Sequence, residues 1–390
     1  MIINSLLSQD VYKLTMLQFF YYKFRYTSAK YRFKCRNKGI NLLDYKDEIY
    51  KEIEYLCTLN YTDEELTYLE SLGYFKPEFL NYLKTYQLST VDINLAEKDK
   101  NLDIMMYGLL VDTSPFEIFV LKIVHEIYTR KVNLSLSGLE LDEGRKRLNK
   151  KINDFKEFTK NEGYKPNVID FGGRRAFTTK YHEFVVKTLK DNDIITGTSD
   201  IDLARRYNLM PVGTMAHEFI QTYQSVVDPL QSQSKALYEW INFYDGKLGI
   251  ALSDTLGDKK FLMDFNYELA NRYSGVRHDS GDPIVWGDMM LKHYYSFGID
   301  PKEKTLVFSD GLDFPTMFKL AKYFKDKVKI SFGIGTNLTN DLGVPALQNV
   351  IKQIECNWKP TAKLSNNPDK TMCEDFDYLE CLKKKLNDEV

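Results

Sequence analysis

From Lys165 onward the chain repeats one device seven times: a short apolar run is closed by a polar cluster, and a longer helical stretch follows. The runs are Val168–Phe171, Ile194–Thr198, Leu209–Gly213, Leu248–Ser253, Tyr273–Asp279, Thr305–Ser309 and Lys329–Gly333. Six or seven βα units within about 170 residues predict a parallel sheet, open or closed into a barrel. The clusters GGRR, GTSD, GTMAH, SDTLGD, RHDSGD, SDGLD and GIGT nearly all sit just after the runs. Strand C-termini are where α/β folds assemble ligand sites, and repetition at every unit favours a barrel mouth over one nucleotide loop. Neither G-x-G-x-x-G nor G-x-x-x-x-G-K-[ST] occurs, so dinucleotide and Walker-type phosphate binding lack support.

The 390 residues exceed what one small core needs, and length alone predicts two or three domains. Residues 1 to about 137 differ in texture, being rich in Lys, Tyr, Leu and Glu. Helical spacing over Asp10–Tyr26, Thr62–Leu72 and Ser114–Thr129, with an alternating strand at Ala29–Cys35, predicts an α+β unit. Leu141–Asn161 reads as a charged amphipathic helix that leads into the repeats.

An apolar fraction of 43% and an aromatic fraction of 14% describe a folded globular chain. A net charge of -2 offers no general attraction for nucleic acid or an anionic membrane, so any anion site must be local. Cys35, Cys57, Cys356, Cys373 and Cys381 form no C-x-x-C pair, which signals neither a disulfide framework nor zinc. The N-terminus lacks a basic stretch followed by an apolar one, and no run of about 18 apolar residues occurs. A soluble, cytoplasmic protein is expected.

Several clusters have the composition of binding loops. Gly333 to Thr339 combines glycines, which let backbone N–H groups approach an anion, with the hydroxyl of Thr336; an ordinary strand-to-helix turn is the alternative. Ser309 to Asp313 has the same character, and neighbouring barrel strand ends often share one phosphate. Arg277 to Pro283 could pair a planar carboxylate and bind sugar hydroxyls or Mg²⁺, or could be a solvated loop. Asp170 to Arg175 sets Phe171 beside two guanidinium groups, suited to a flat aromatic acid unless Phe171 is core. His217 has no second histidine at i+4, and the adjacent Glu218 points to another helix face, which disfavours a zinc site. A structural histidine, a general base and a nucleophile toward a phosphoryl group stay open.

Taken in order, Gln9 to Met16, FGGRRAF, GTSD, PVGTMAHEF, SDTLGD, GVRHDSGDP, FSDGLDFP, FGIGTNLTND and Lys359 to Ser365 resemble the nicotinate phosphoribosyltransferase family, type II phosphoribosyltransferases of NAD salvage. The resemblance implies an irregular α/β barrel over 138–345, with an α+β domain formed by 1–137 plus 346–390. It implies transfer of ribosyl 5-phosphate from phosphoribosyl pyrophosphate to nicotinate, with Mg²⁺ held largely by the diphosphate and no protein metal ligand assigned. ATP hydrolysis would be coupled through a phosphohistidine at His217, with Asp279 and Arg277 as its catalytic neighbours. Phe171 would stack on the pyridine ring, with Arg174, Thr214, Ser199 and Arg277 around it, and Arg277 facing the carboxylate. Tyr12 would enter from the neighbouring subunit of a homodimer with shared sites. Asp279 would hold ribose hydroxyls, and Ser309, Asp310, Gly311 and Leu312 with Gly335 and Thr336 would hold the 5-phosphate. Gly173 departs from the family, whose members often carry another residue there.

Two other readings compete. Nicotinamide phosphoribosyltransferases hold an aspartate at the place of Ser199, where a carboxylate would repel nicotinate; Asp200 lies next door. A non-enzymatic ligand-binding protein on the same scaffold would have lost polar strand-end residues, and these clusters keep theirs.

Overall fold

The computed structural model describes residues 1–132, 139–366 and 370–389, so the expected boundary at 137/138 lies outside the described residues. Two sheets organise it. Strands β1 (Ser28–Cys35), β2 (Ile93–Lys98) and β3 (Asn101–Leu109) open the chain. The seven apolar runs follow as β4 (Asn167–Asp170), β5 (Ile195–Thr198), β6 (Met210–Pro211), β7 (Ile250–Leu252), β8 (Gly275–His278), β9 (Thr305–Phe308) and β10 (Lys329–Ile334). Two late strands, β11 (Asn349–Cys356) and β12 (Lys359–Pro360), return to the first sheet, whose order is β12-β11-β1-β3-β2 and whose ladders are antiparallel.

All seven runs pair in parallel, in the order β6-β5-β4-β10-β9-β8-β7. The sheet is a curled half-barrel, since no ladder joins β6 to β7 among the described residues. Pro211 ends β6 at an edge, where its missing N–H costs no ladder bond. The run from Leu248 becomes a strand only at Ile250, because Leu248 sits at φ 54° in the preceding turn. Helices on the flanks bury β9 and β10 nearly end to end, as a parallel sheet requires. Behind these strands Phe308 stacks on Phe332 at 5.9 Å and meets the edge of Trp286 at 5.7 Å.

The helix Val11–Lys23 is buried from Val11 to Phe20, and Phe116–Val132 is buried over most of its length. Helices apolar on all sides belong in a core. Phe19 packs edge-on against Phe219 at 4.8 Å, which joins the first helix to His217–Gln224. The final helix, Phe376–Glu389, sets Leu379, Leu382 and Leu386 against Leu256 and Ala362, beside the loop after β7. No helix among the described residues is long and apolar enough to cross a membrane, and all five cysteines carry free thiols.

One charge sits deep in this core. The Lys13 ammonium lies 2.6 Å from Glu117 and 2.6 Å from Glu218, and donates to Ser114 Oγ at 3.3 Å. It thereby ties three helices together, and Lys13→Ala would leave two carboxylates facing one another. We expect that variant to lose about 3–5 kcal/mol of unfolding free energy in denaturant titration, with part recovered in Lys13→Ala/Glu218→Gln.

Candidate active site

Sheet order decides which loops meet. Because β4, β10, β9 and β8 are neighbours, the turns after them stand side by side although residues 170 and 335 are far apart in sequence. They line a cleft of about 400 Å³ that includes Phe171, Arg174, Arg277, Asp279, Ser309, Asp310, Gly311, Leu312, Gly335 and Thr336. The antiparallel sheet covers the other side with Asn349, Val350 and Lys352 from β11 and Arg36 from beyond β1.

The Phe171 ring is seated by an absence. A Cβ at Gly333 would lie 2.2 Å from Phe171 Cδ2, so only glycine on β10 lets the ring lie across the strand. Phe171 N also donates to Ile334 O at 2.9 Å. The Arg277 guanidinium stands 5.7 Å from the ring centroid. It is aimed by donation from Nε to Ser309 Oγ at 2.8 Å and from Nη2 to Asp279 Oδ1 at 3.1 Å. An aromatic face beside an oriented guanidinium suits a flat anion.

The loops after β9 and β10 are tied together, since Asn337 Nδ2 donates to Gly311 O at 3.2 Å and to Leu312 O at 3.0 Å. The helix that begins at Thr336 is a single turn ending at Thr339. Backbone N–H groups and the Thr336 hydroxyl, more than a helix dipole, are what this end offers an anion.

Charge follows the same geometry. Seven cations line the cleft (Arg36, Arg174, Arg175, Arg277, Lys352, Lys363 and Lys370), against Glu117, Asp279 and Asp310. Burial next to Arg174 and Arg36 draws Arg175 down to about 10, and burial beside Lys363 draws Lys352 down to about 8. A partly buried surplus of positive charge of this kind favours an anion between its members. In a chain of net charge -2 this local surplus is the expected anion site.

His217 opens the helix His217–Gln224 and lines an adjoining pocket of about 80 Å³, which shares Arg174, Arg277, Asp279 and Lys352 with the main cleft. Its Nδ1 lies 3.0 Å from Thr255 Oγ1; its Nε2 lies 2.7 Å from Lys363 Nζ and 3.0 Å from Asp279 Oδ2. An ammonium can only donate, so Nε2 accepts from Lys363, Asp279 Oδ2 accepts from the same ammonium at 3.4 Å, and the ring proton sits on Nδ1, donated to Thr255. Burial, then the Lys363 charge, lower the imidazole to about 4 against the pull of Asp254 and Asp279. His217 is therefore neutral at ordinary pH, with a lone pair directed at a cation. Lys363 also lies 3.1 Å from Asp254, whose Oδ1 has no hydrogen-bond partner among the described residues. His217, Asp254 and Asp279 could together ligate a metal, but the Lys363 ammonium already supplies a positive charge among them.

Two expected contacts differ. Ser199 does not line either pocket, because its hydroxyl donates to Asp10 Oδ1 at 2.6 Å. Thr214 is likewise turned away, donating to Ile250 O at 2.9 Å. Tyr12 lines the His217 pocket of its own chain, with the Arg174 guanidinium 6.0 Å from its ring. The reason is backbone pairing: Val11 N donates to Ser199 O at 2.8 Å and Ile201 N to Gln9 O at 3.1 Å, which pins the first helix to the end of β5. Asp200, adjacent to Ser199, is neutralised by Lys122 at 2.6 Å and does not line the cleft.

Residue patterns alone missed Lys352, Lys370, Arg36, Glu117 and Lys363. Lys352 sits in an ordinary-looking strand sequence, and nothing local marks it. Lys363 lies within the Lys359 to Ser365 motif, which is where a signal existed.

The profile of the nicotinate phosphoribosyltransferase (NAPRTase) family matches residues 167–390, and that of the NAPRTase N-terminal domain matches residues 7–125. The chain is 43% identical over 390 residues to the nicotinate phosphoribosyltransferase of Ralstonia nicotianae, covering 98% of this chain and 99% of the relative. It is 42% identical to that of Cupriavidus necator, covering 98% of each. Among solved structures, the nicotinate phosphoribosyltransferase of Vibrio cholerae superposes with a TM-score of 0.94 at 38% identity, over 99% of this chain and 94% of that one. A putative nicotinate phosphoribosyltransferase from Saccharomyces cerevisiae superposes with a TM-score of 0.89 at 27% identity, over 99% and 98%.

Gly333→Ala tests the seat of Phe171 directly. The added methyl must displace the ring, and we expect nicotinate binding to weaken by about tenfold or more in calorimetric titration.

Proposed function

The chain belongs to the nicotinate phosphoribosyltransferase family, and on that premise we propose how its cleft carries out the reaction. It is a transferase that places a phosphoribosyl group on nicotinate. The donor in this reading is phosphoribosyl pyrophosphate: the bond from the anomeric carbon to the pyrophosphate oxygen breaks, and a bond from that carbon to the pyridine nitrogen forms. The ring nitrogen attacks with its lone pair, so no general base is needed. Positioning and electrostatic stabilisation of the leaving group carry the rate.

The observation that carries this reading is the juxtaposition of Phe171 and Arg277 with the tied Ser309–Leu312 and Gly335–Thr336 loops in one cation-rich cleft. Nicotinate stacks on Phe171 with Arg277 and Arg174 toward its carboxylate, and Tyr12 closes the slot from the same chain. The 5-phosphate lies against the two loops, Asp279 takes ribose hydroxyls, and the diphosphate meets the remaining cations. Mg²⁺ would be held by the diphosphate, because the Lys363 ammonium already supplies the positive charge between Asp254 and Asp279.

Coupling to ATP runs through His217 in this reading. Neutral Nε2 attacks the γ-phosphorus, ADP leaves, and hydrolysis of the phosphohistidine later returns phosphate and the free ring. Lys363 must first give up its hydrogen bond to Nε2, and it then faces the new phosphoryl charge. A homodimer, which the family resemblance implies, would bring a second copy of this chain against the cleft. We assign the reaction to the cytoplasm, where free thiols such as these five persist.

Preference for nicotinate over nicotinamide follows from charge at the slot. Losing one charge-assisted contact to arginine corresponds to about 1.5–3 kcal/mol, so kcat/KM for nicotinamide should be lower by about 10- to 100-fold. Equal use of the two acceptors would overturn the nicotinate assignment.

His217→Asn should abolish acid-labile phosphate on the protein after incubation with ATP and should remove ATP stimulation while leaving ATP-independent turnover. The same variant has a stability readout. The folded pKa of His217 lies below its unfolded value, so its stabilising contribution is complete above about pH 6.5 and is lost as pH falls toward 4. We expect the fall in Tm across that window to be smaller in His217→Asn than in the parent.

A further inference from the structure

We propose that Lys122, Asp170, His182 and Asp200 form a buried positioning brace beneath the nicotinate slot, on which Gly173 rests, and that this brace sets the spacing between Phe171 and Tyr12. The inference rests on the nicotinate reading above. None of the four side chains lines either pocket, so their influence passes through the two aromatic residues and not through substrate.

The brace has two arms. In the first, Asp170 ends β4 fully buried, immediately before Phe171. Its Oδ2 accepts from His182 Nε2 at 2.7 Å and from Thr198 Oγ1 at 2.7 Å, while Oδ1 accepts from Gly172 N at 2.9 Å. One carboxylate thus holds the turn that follows Phe171, the end of β5 and the helix Thr179–Asp191. Burial works against a charge on His182, and the Asp170 carboxylate overcomes it, holding the imidazole above its ordinary value.

In the second arm, Lys122 Nζ lies 2.6 Å from Asp200 Oδ2 and donates to Ser8 O at 3.0 Å. Asp200 Oδ1 accepts from Leu203 N at 3.0 Å and so caps the helix Ile201–Tyr207. Ser8 belongs to the segment that pairs with residues 199–202 and leads directly into Tyr12; Asp202 N donates to Leu7 O at 3.0 Å. This arm fixes where the Tyr12 helix starts.

The arms meet at Gly173. A Cβ there would lie 3.3 Å from Lys122 Cε and 3.4 Å from His182 Cε1. The missing side chain lets the Phe171–Arg174 turn settle directly on Lys122 and His182. Lys122 and the His182 imidazole alternate with the two carboxylates, so each acid has a partner within the cluster. A buried ion pair is often replaceable by apolar groups without loss of stability. What apolar groups could not supply are the directed bonds to Gly172 N, Thr198 Oγ1 and Ser8 O.

Steady-state kinetics on His182→Leu, His182→Gln, Lys122→Met and Gly173→Ala test the brace. We expect His182→Leu and Lys122→Met to raise KM for nicotinate by about tenfold while KM for phosphoribosyl pyrophosphate stays within about twofold. His182→Gln, which keeps an N–H donor toward Asp170, should recover most of the loss. Gly173→Ala, which alters no charge, should move nicotinate KM in the same direction and remains readable if a charge variant fails to fold. Parallel changes in both KM values, or unchanged nicotinate KM in all four variants, would overturn the brace alone. A parent protein that neither binds nor turns over nicotinate would overturn the functional reading, and the brace with it.

Discussion

The active-site cleft depends on parallel pairing in an order the chain does not follow. β10 inserts between β4 and β9, which brings the glycine at 333 under Phe171 and the loop at 335 beside the loop at 309. No ladder within a single βα unit could achieve this. Each unit supplies one polar turn, and only the shared sheet converts four separate turns into a single concave surface with a common electrostatic character.

Much of this was legible because periodicity and punctuation are local. Seven apolar runs became seven parallel strands whose ends shift by no more than two residues, as where the turn at Leu248 delays β7 to Ile250. Phe171, Arg277, Asp279 and the Ser309 and Gly335 loops were legible for the same reason, since strand-end position is a sequence property. Where a side chain points after its strand ends is not. Ser199 and Thr214 carry plausible hydroxyls, yet each is bonded to a partner far along the chain. The cations from β11 and beyond could not be placed at all until the antiparallel sheet folded back over the barrel.

Several charges inside this protein are held in pairs or small clusters. Lys13 is shared between Glu117 and Glu218, Lys363 among His217, Asp254 and Asp279, and Lys122 with Asp200. The cleft differs in that its cations outnumber its carboxylates, and burial beside other cations lowers Arg175 and Lys352. An anionic substrate thus completes an electrostatic arrangement that the polypeptide leaves open.

The return of β11 to pair with β1 has a consequence in time. Residues 28–35 cannot find their central partner until residues 349–356 exist, and Lys363 and Lys370 follow later still. During synthesis the half-barrel can assemble while its antiparallel cover still lacks β11 and β12. The cleft therefore cannot be completed until residues 349–370 have been made, and the closing step is a long loop closure of the slow, entropically expensive kind.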